Sequence, residues 1–150
     1  MPTRDFVPPS FVVPLRFEAP DFVLEPLAPE HNERDYDAWT SSVEHIHATP
    51  GWEGSSWPDE RTTEENLRDL ERHAADFRNR AGFTYTVLER GSGDVIGCVY
   101  IYPVANGEKD ARVLSWVRAS HADLDVALWR AVSDWIAADW PFEKVDYARR

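Results

Sequence analysis

Two stretches of this sequence carry residue types that can do chemistry. One runs from His45 to Trp57 and holds two histidines, a glutamate and two tryptophans. The other is Arg118–Asp125, where a predicted strand passes directly into a predicted helix. The free N–H groups of a helix's first turn can bind a phosphate, and tryptophan faces can bind an organic cation. The sequence therefore raises two questions, one about an anion site and one about a small-ligand pocket.

The first stretch brings His45, Trp52 and Trp57 close together in the sequence. The two tryptophans lie in a loop with no evident packing need, so they form either an apolar or cation-binding wall or a cover over the core. His45 and His47 lie two residues apart on a predicted helix, which points their rings about 200° apart. Because one metal ion needs both rings on the same side, we expect no metal site.

The elements that position these residues follow from hydrophobic spacing and turn signals. The pattern predicts one domain over residues 22–150 and a Pro-rich arm over residues 1–21. Thr62 and Glu65 form a capping-box signature at the start of the second helix. The predicted order is β-α-α-β-β-β-α-β, with strands at Phe22–Leu27, Phe83–Glu89, Val95–Tyr102, Ala111–Arg118 and Phe142–Tyr147. This order predicts a layered α+β fold with a mixed, mostly antiparallel sheet and helices on both faces.

Composition excludes several classes of function. The formal net charge is -11 and no basic patch interrupts it, so we expect no nucleic-acid partner. No run of apolar residues is long enough to span a membrane, and the N-terminal residues do not form a secretion signal. The single cysteine, Cys98, lies in an apolar run and cannot support a disulfide framework. These features predict a cytoplasmic protein without a membrane partner.

Three segments together resemble the GNAT N-acetyltransferase superfamily. They are Phe22–Leu27 with the helix start Pro29-Glu30-His31, the hairpin Thr84–Val99 with its Ile96-Gly97 pair, and the stretch Val113–Ile136. The resemblance covers about residues 22–147 and implies the GNAT-like mixed sheet. It also implies an enzyme that transfers an acetyl group from acetyl-CoA to a small amine. The region at the end of the first helix and after it would then wall the amine pocket, with His45, Trp52 and Trp57 as candidates for substrate contact.

In that superfamily the loop after the fourth strand carries Arg/Gln-x-x-Gly-x-Gly/Ala and cradles the pyrophosphate of acetyl-CoA. The resemblance therefore implies cofactor contacts at Trp116, Val117, Arg118, Ser120 and His121. This sequence departs from the pattern, because Ala119–Asp125 contains no glycine. We expect Asp123 to cap the third helix and Asp125 to add a negative charge to its first turn. Acetyl-CoA is thus the implied co-substrate, but two carboxylates oppose its phosphates.

Acetyl transfer needs a polarised thioester, a base for the amine and a proton donor for the leaving thiolate. The candidates for these proton transfers are Glu89, Tyr100, Tyr102 and Tyr147, and the sequence does not choose among them. The alternative is a GNAT-like domain without catalysis that binds a small ligand or forms dimers. The glycine-free loop favours this alternative.

The end of the predicted sheet also departs from the family pattern. Family members usually continue past the fifth strand with another helix, whereas only Ala148-Arg149-Arg150 follow Tyr147 here. A bare strand edge is a liability in a folded protein. We therefore expect the N-terminal arm of this chain or of a second copy to cover that edge, and in the second case the protein is a homodimer.

Overall fold

The architecture is a six-stranded sheet with helices on both of its faces. The computed structural model describes residues 5–105 and 107–150, so residues 1–4 of the predicted arm and Asn106 lie outside the described residues. The strands, which lie in chain order across the sheet, are β1 (Phe17–Glu18), β2 (Phe22–Pro26), β3 (Phe83–Glu89), β4 (Val95–Tyr102), β5 (Ala111–Val117) and β6 (Val145–Tyr147). The helices are α1 (Asn32–Thr40), α2 (Val43–Ala48), α3 (Thr63–Arg78) and α4 (Asp125–Asp139), with 3-10 turns at Pro29–His31 and Ala119–Leu124. Neighbouring strands are antiparallel except β5 and β6, which are parallel.

The structure confirms the predicted fold class and divides the predicted first helix into two. α1 ends at Thr40 and α2 begins at Val43, because Ser42 adopts a φ of -135° that leaves the helical region. The capping box of α3 is confirmed as well. The Glu65 N–H donates to the Thr62 hydroxyl at 3.1 Å, and the Thr62 N–H donates to the Glu65 carboxylate at 3.0 Å.

Each face of the sheet carries its own hydrophobic core. On one face, Ile96 and Ile101 of β4 pack with Trp135 of α4. On the other face, Val95 and Cys98 of β4 pack in one cluster with side chains from α1, α2 and α3, which are Ala38, Trp39, Ile46 and Leu70. Side chains of one central strand thus fill both layers, and their alternation changes phase at the register shift where Val87 pairs with Gly97 and Leu88 pairs with Val95. The second core forms the floor of the site described below.

The N-terminal arm lies on the α4 face and not along the outer edge of β6. Its β1 pairs with β2, at the opposite edge of the sheet from β6. Phe6 stacks on Phe142 with ring centroids 5.1 Å apart, and Phe11 lies 5.2 Å from Trp140. The expectation that the arm of this chain covers β6 is therefore wrong, because its aromatic side chains pack, partly buried, against the α4 core instead. The last strand is shorter than the predicted Phe142–Tyr147. Phe142 joins the packing of the arm, and β6 begins at Val145.

β5 has a strand neighbour on both sides along only part of its length. β6 pairs with Ala111–Val113, whereas β4 pairs with β5 as far as Val117. Beyond Val113, β5 and β6 part from each other. We call the gap beside the second half of β5 the β5–β6 cleft. Opposite this half, Gly97 approaches so closely that a Cβ atom there would lie 2.4 Å from the Trp116 carbonyl oxygen. A glycine in mid-strand indicates either a close backbone approach or a bulge. Gly97 shows the close approach, and it also lies at the register shift between β3 and β4.

Candidate functional site

A cavity of about 220 Å³ lies between α1, α3, β4 and the loop that follows α2. Leu27 and Leu70 give it an apolar part, and its polar and aromatic lining includes Asp35, Trp52, Trp57, Asn66, His73 and Tyr100. We call it the tryptophan cavity. Its volume is below the roughly 300 Å³ at which drug-sized pockets begin, so its dimensions suit a small ligand.

The two loop tryptophans serve both as core and as cavity wall. Trp52 is 6% exposed, and its Nε1–H donates to the Ser115 carbonyl at 2.9 Å. Trp57 lies with its ring centroid 5.3 Å from that of Trp52 and 5.4 Å from that of Trp39. Trp116 belongs to the same core, and its Nε1–H donates to the Tyr100 hydroxyl at 3.1 Å. The packing fixes the aromatic faces that the cavity presents.

A chain of buried polar groups crosses the floor of the cavity. Trp39 Nε1–H donates to Asn66 Oδ1 at 3.1 Å, and Asn66 Nδ2 donates to Asp35 Oδ2 at 3.1 Å. Asp35 is 4% exposed, and burial raises the pKa of its carboxyl group to about 6, against the opposing effect of the Asn66 hydrogen bond. A displaced carboxyl pKa in a cavity is typical of functional sites.

His73 lines the same cavity as a neutral imidazole. Burial lowers the pKa of His73 to about 4, and the charge of Arg72 lowers it further. Its Nδ1 lies 2.8 Å from the Tyr102 hydroxyl, which itself donates to Asp76 at 2.9 Å. Because Tyr102 has one proton and gives it to Asp76, His73 Nδ1–H is the donor in the first bond. The Nε2 atom of His73 is then an acceptor.

Arg150 fills the β5–β6 cleft. Its side chain is 2% exposed, and its Nε pairs with Asp125 Oδ2 at 2.7 Å. Its Nη2 donates to the Ser115 carbonyl at 2.8 Å, and its Nη1 donates to the carbonyls of Pro50 at 3.1 Å and Ala148 at 2.8 Å. The guanidinium is thus held on several sides at the place where the strands part.

Tyr147 is the catalytic candidate that lies at this cleft. Its hydroxyl is 2.5 Å from the Ser115 hydroxyl, and its ring centroid lies 5.7 Å from the Arg150 guanidinium carbon. Burial raises the pKa of Tyr147 to about 12. The hydroxyl therefore keeps its proton at neutral pH, and the Ser115 hydroxyl is its hydrogen-bond partner.

The loop after β5 forms a third cluster. The Arg118 guanidinium pairs with Asp37 at 2.9 Å. His121 Nε2 donates to Glu89 at 2.8 Å, and its Nδ1 lies 2.8 Å from the Ser120 hydroxyl. Hydrogen bonds from Ser92 and His121 lower the pKa of Glu89. Arg118 and His121 of the loop are thus already bonded to carboxylates.

The expectation that Asp123 caps the last helix is wrong. Leu124 is the N-cap of α4, and no side chain caps this end. The 3-10 turn Ala119–Leu124 continues directly into α4, so Asp123 lies inside the turn and is exposed. Two amides of this turn donate hydrogen bonds within the protein. Ala119 N–H donates to the Ser42 hydroxyl at 2.9 Å, and His121 N–H donates to the Arg118 carbonyl at 2.9 Å.

The predicted site residues separate into three places. Trp52, Trp57 and Tyr100 meet at the tryptophan cavity, whereas Tyr102 reaches it only through His73. Tyr147 lies at the cleft, and Glu89, Arg118, Ser120 and His121 form the loop cluster. Trp116 and Val117 are buried on β5, and His45 is not among the described residues that line the cavity. Among the described residues, no group of three or more metal-ligating side chains is placed to hold an ion.

Sequence reasoning missed Asp35, Asn66, His73 and Arg150. Asn66, Leu70, His73 and Phe77 follow helical spacing, so two polar residues on the apolar face of α3 were a usable signal. Arg150 has no such signal, because its partners lie 25 and 35 positions away in the sequence.

Within the described ranges, no helix is both long and apolar enough to cross a membrane.

Comparison with known proteins gives structural matches but no sequence match. No protein-family model and no curated protein matches the chain. The ribosomal-protein-S5-alanine acetyltransferase from Vibrio fischeri matches with a TM-score of 0.61 and 14% identity, over 82% of this chain and 67% of that one. The microcin C7 self-immunity acetyltransferase, solved with acetyl-CoA and AMP, matches with a TM-score of 0.60 and 13% identity, over 79% of this chain and 62% of that one.

A third match has the same character. The ribosomal L7/L12 alpha-N-protein acetyltransferase in complex with coenzyme A matches with a TM-score of 0.60 and 11% identity, over 84% of this chain and 68% of that one. This chain therefore spans about two thirds of the length of these three enzymes. At such identities the likeness concerns the fold, and function must be argued from the site.

Proposed function

We propose that this chain, whose fold is that of the GNAT acetyltransferases, binds a small organic molecule in the tryptophan cavity and keeps the β5–β6 cleft closed to acetyl-CoA. The observation that carries this proposal is the position of Arg150. Its guanidinium occupies the cleft with a buried ion pair to Asp125 and a hydrogen bond to the Ser115 carbonyl. The Ser115 carbonyl, which faces the cleft, thus already has Arg150 as a partner.

The loop after β5 does not fit a pyrophosphate group. The amides of Ala119 and His121 already donate within the protein, and the amide of Asp125 donates to the Ala122 carbonyl. Arg118 and His121, which face this loop, are already bonded to Asp37 and Glu89. A phosphate arriving here would displace existing bonds and meet carboxylates, whose repulsion adds to the cost.

N-acetyl transfer from acetyl-CoA to a small amine is the second candidate function. The fold favours it, and so does the contact between Trp52 of the cavity wall and the Ser115 carbonyl of the cleft. It requires Arg150 to leave the cleft. A thiol-release assay with acetyl-CoA and a panel of small amines tests it, since each turnover frees one coenzyme A thiol.

Thermal unfolding with and without millimolar acetyl-CoA tests the proposal, with coenzyme A as a second ligand. A ligand at 100 times its dissociation constant stabilises a protein by about 2.7 kcal/mol, which is several degrees for a domain of this size. We expect no shift. An upward shift with acetyl-CoA would show that the cleft opens and would favour the second candidate.

A homodimer is also proposed. Within the described residues, β5 is the only strand that pairs with β6, so the other edge of β6 is open to a second copy. Light scattering at micromolar concentration is expected to give twice the 17.2 kDa chain mass. A mass of one chain would refute the dimer without bearing on the ligand site.

A further inference from the structure

Asp35 is a buried carboxylate whose second oxygen is free. Within the described part of the chain, its Oδ2 accepts a hydrogen bond from Asn66 and its Oδ1 accepts none. The residue is 4% exposed and lines the tryptophan cavity. An ionised carboxylate in such a place is costly unless a cation or further donors compensate it.

The Asn66 side chain cannot supply this compensation. Its Oδ1 accepts from Trp39, which fixes the orientation of the amide, and its Nδ2 donates to Asn32 Oδ1 at 2.9 Å and to Asp35 Oδ2 at 3.1 Å. Both N–H bonds of the amide are thus used. Asp35 Oδ1 remains as the acceptor that the cavity presents.

The arginines that line the cavity are engaged with other carboxylates. Arg61 pairs with Asp59 at 2.6 Å and with Asp69 at 2.5 Å. Arg72 pairs with the other oxygen of Asp69 at 3.1 Å. Neither forms an ion pair with Asp35 among the described residues. The negative charge of Asp35 is therefore left for a group that enters the cavity.

Aromatic rings surround the same space. The ring centroids of Trp52 and Trp57 are 5.3 Å apart, and that of Tyr100 lies 5.7 Å from Trp52. The faces of such rings carry negative electrostatic potential, and groups of aromatic side chains recognise alkylammonium ions. A cation here would gain attraction from both the carboxylate and the rings.

We infer that the tryptophan cavity binds a small organic ammonium ion, with Asp35 as its counter-ion and Trp52 and Trp57 around its alkyl groups. This inference rests on the proposed function in one respect, which is the use of the cavity as a ligand site. It also separates binding from acetyl transfer. An amine that is ion-paired with a carboxylate holds its proton more tightly, and a protonated amine has no lone pair for attack.

The test compares choline with 3,3-dimethylbutan-1-ol, in which carbon replaces the charged nitrogen. Calorimetric titration at about pH 8 is expected to give choline at least about tenfold tighter binding than its neutral isostere. Asp35→Asn retains the shape of the side chain and should abolish this preference. Glu33→Gln is the matched control, because Glu33 is exposed on the same helix and the variant removes the same charge.

The pH dependence of choline binding by the unaltered protein is a second measurement that needs no variant. Choline does not titrate, so its affinity is expected to rise as pH increases through about 6, where Asp35 ionises. The charged and titratable groups that face Asp35 are Arg61, Asp69, Arg72, His73, Cys98 and Tyr100. Of these, His73 has its pKa lowered to about 4, and burial raises the pKa of Cys98 and Tyr100 well above neutrality.

Equal affinity for choline and the neutral alcohol would overturn the inference, and so would full choline affinity in Asp35→Asn. Absence of binding by choline would overturn it as well. In the case of equal affinity the alcohol still binds, so the proposed ligand cavity would stand and only the charge recognition would be refuted. Stabilisation by acetyl-CoA would refute the closed cleft and leave cation recognition standing. The two proposals therefore fail separately.

Discussion

Arg150 Nη2 lies 2.8 Å from the carbonyl oxygen of Ser115, the same oxygen that accepts the Trp52 Nε1–H at 2.9 Å. One backbone carbonyl therefore joins the residue that fills the β5–β6 cleft to a wall of the tryptophan cavity. Since a carbonyl oxygen has two lone pairs, both bonds can form together. Movement of Arg150 would leave Trp52 as the remaining partner of this oxygen.

Arg150→Ala is expected to reduce the free energy of unfolding by about 3–5 kcal/mol, because it leaves the largely buried Asp125 carboxylate without its cation. Asp125→Ala removes that carboxylate. The double variant should therefore lose less stability than the sum of the two single losses. Urea unfolding of the three variants measures this coupling.

Arg149→Ala is the matched control for this cycle, because Arg149 is the exposed neighbour of Arg150. Its effect should stay within about 0.5 kcal/mol. Additive losses in the Arg150 and Asp125 variants would mean that the buried ion pair does not hold the cleft closed.

Asp35→Asn is expected to stabilise the protein increasingly as pH rises from about 4 to 7. The pKa of Asp35 is about 6 when folded and 3.8 ordinarily, so the folded state binds this proton more tightly. Asp35 thus contributes stability at low pH that is lost through this window, on the order of 3 kcal/mol in total. Thermal or urea unfolding of both proteins across this range gives the difference.

His73→Gln should show the opposite trend. The pKa of His73 is about 4 when folded and 6.5 ordinarily, so the unfolded state binds this proton more tightly. The unaltered protein then loses stability as pH falls from 6.5 to 4, and the variant does not. Parallel curves for the variants and the unaltered protein would contradict the buried placement of both groups.

Gly97→Ala is expected to destabilise the fold by about 1–3 kcal/mol, because a Cβ atom there would lie 2.4 Å from the Trp116 carbonyl oxygen. Backbone atoms of paired strands cannot move apart without loss of hydrogen bonds. Gly54→Ala is a useful comparison, because its Cβ would meet nothing within 4 Å and its cost comes from a φ of +77° alone. Chemical unfolding distinguishes the two, and an unaffected Gly97→Ala would refute the close approach of β4 and β5.

Local signals predicted much of the fold. The capping box at Thr62 and Glu65 is satisfied within one turn of helix, so its outcome depends on neighbours in sequence. The break between α1 and α2 was not predicted, since the apolar spacing of Tyr36, Trp39, Val43 and Ile46 continues through it. Periodicity reports which face is buried and does not report whether the axis bends.

The candidate site was only partly predictable for a related reason. Trp52 and Trp57 stood out because their loop shows no evident packing need, which left a ligand wall and a cover over the core as alternatives. Asp35 looks like an ordinary helix residue until α3 packs against it. Arg150 acquires its role from Ser115 and Asp125, which only the folded sheet and α4 bring to it. Contacts between distant positions cannot be read from a single sequence by spacing.

Equilibrium dialysis of acetyl-CoA against the unaltered protein, Arg149→Ala and Arg150→Ala shows whether Arg150 keeps the cleft closed, since it measures occupancy without depending on heat or stability. We expect the unaltered protein and Arg149→Ala to retain no acetyl-CoA at millimolar concentration, because Arg150 occupies the cleft and bonds the Ser115 carbonyl. Retention of one acetyl-CoA per chain by the unaltered protein would contradict the closed cleft.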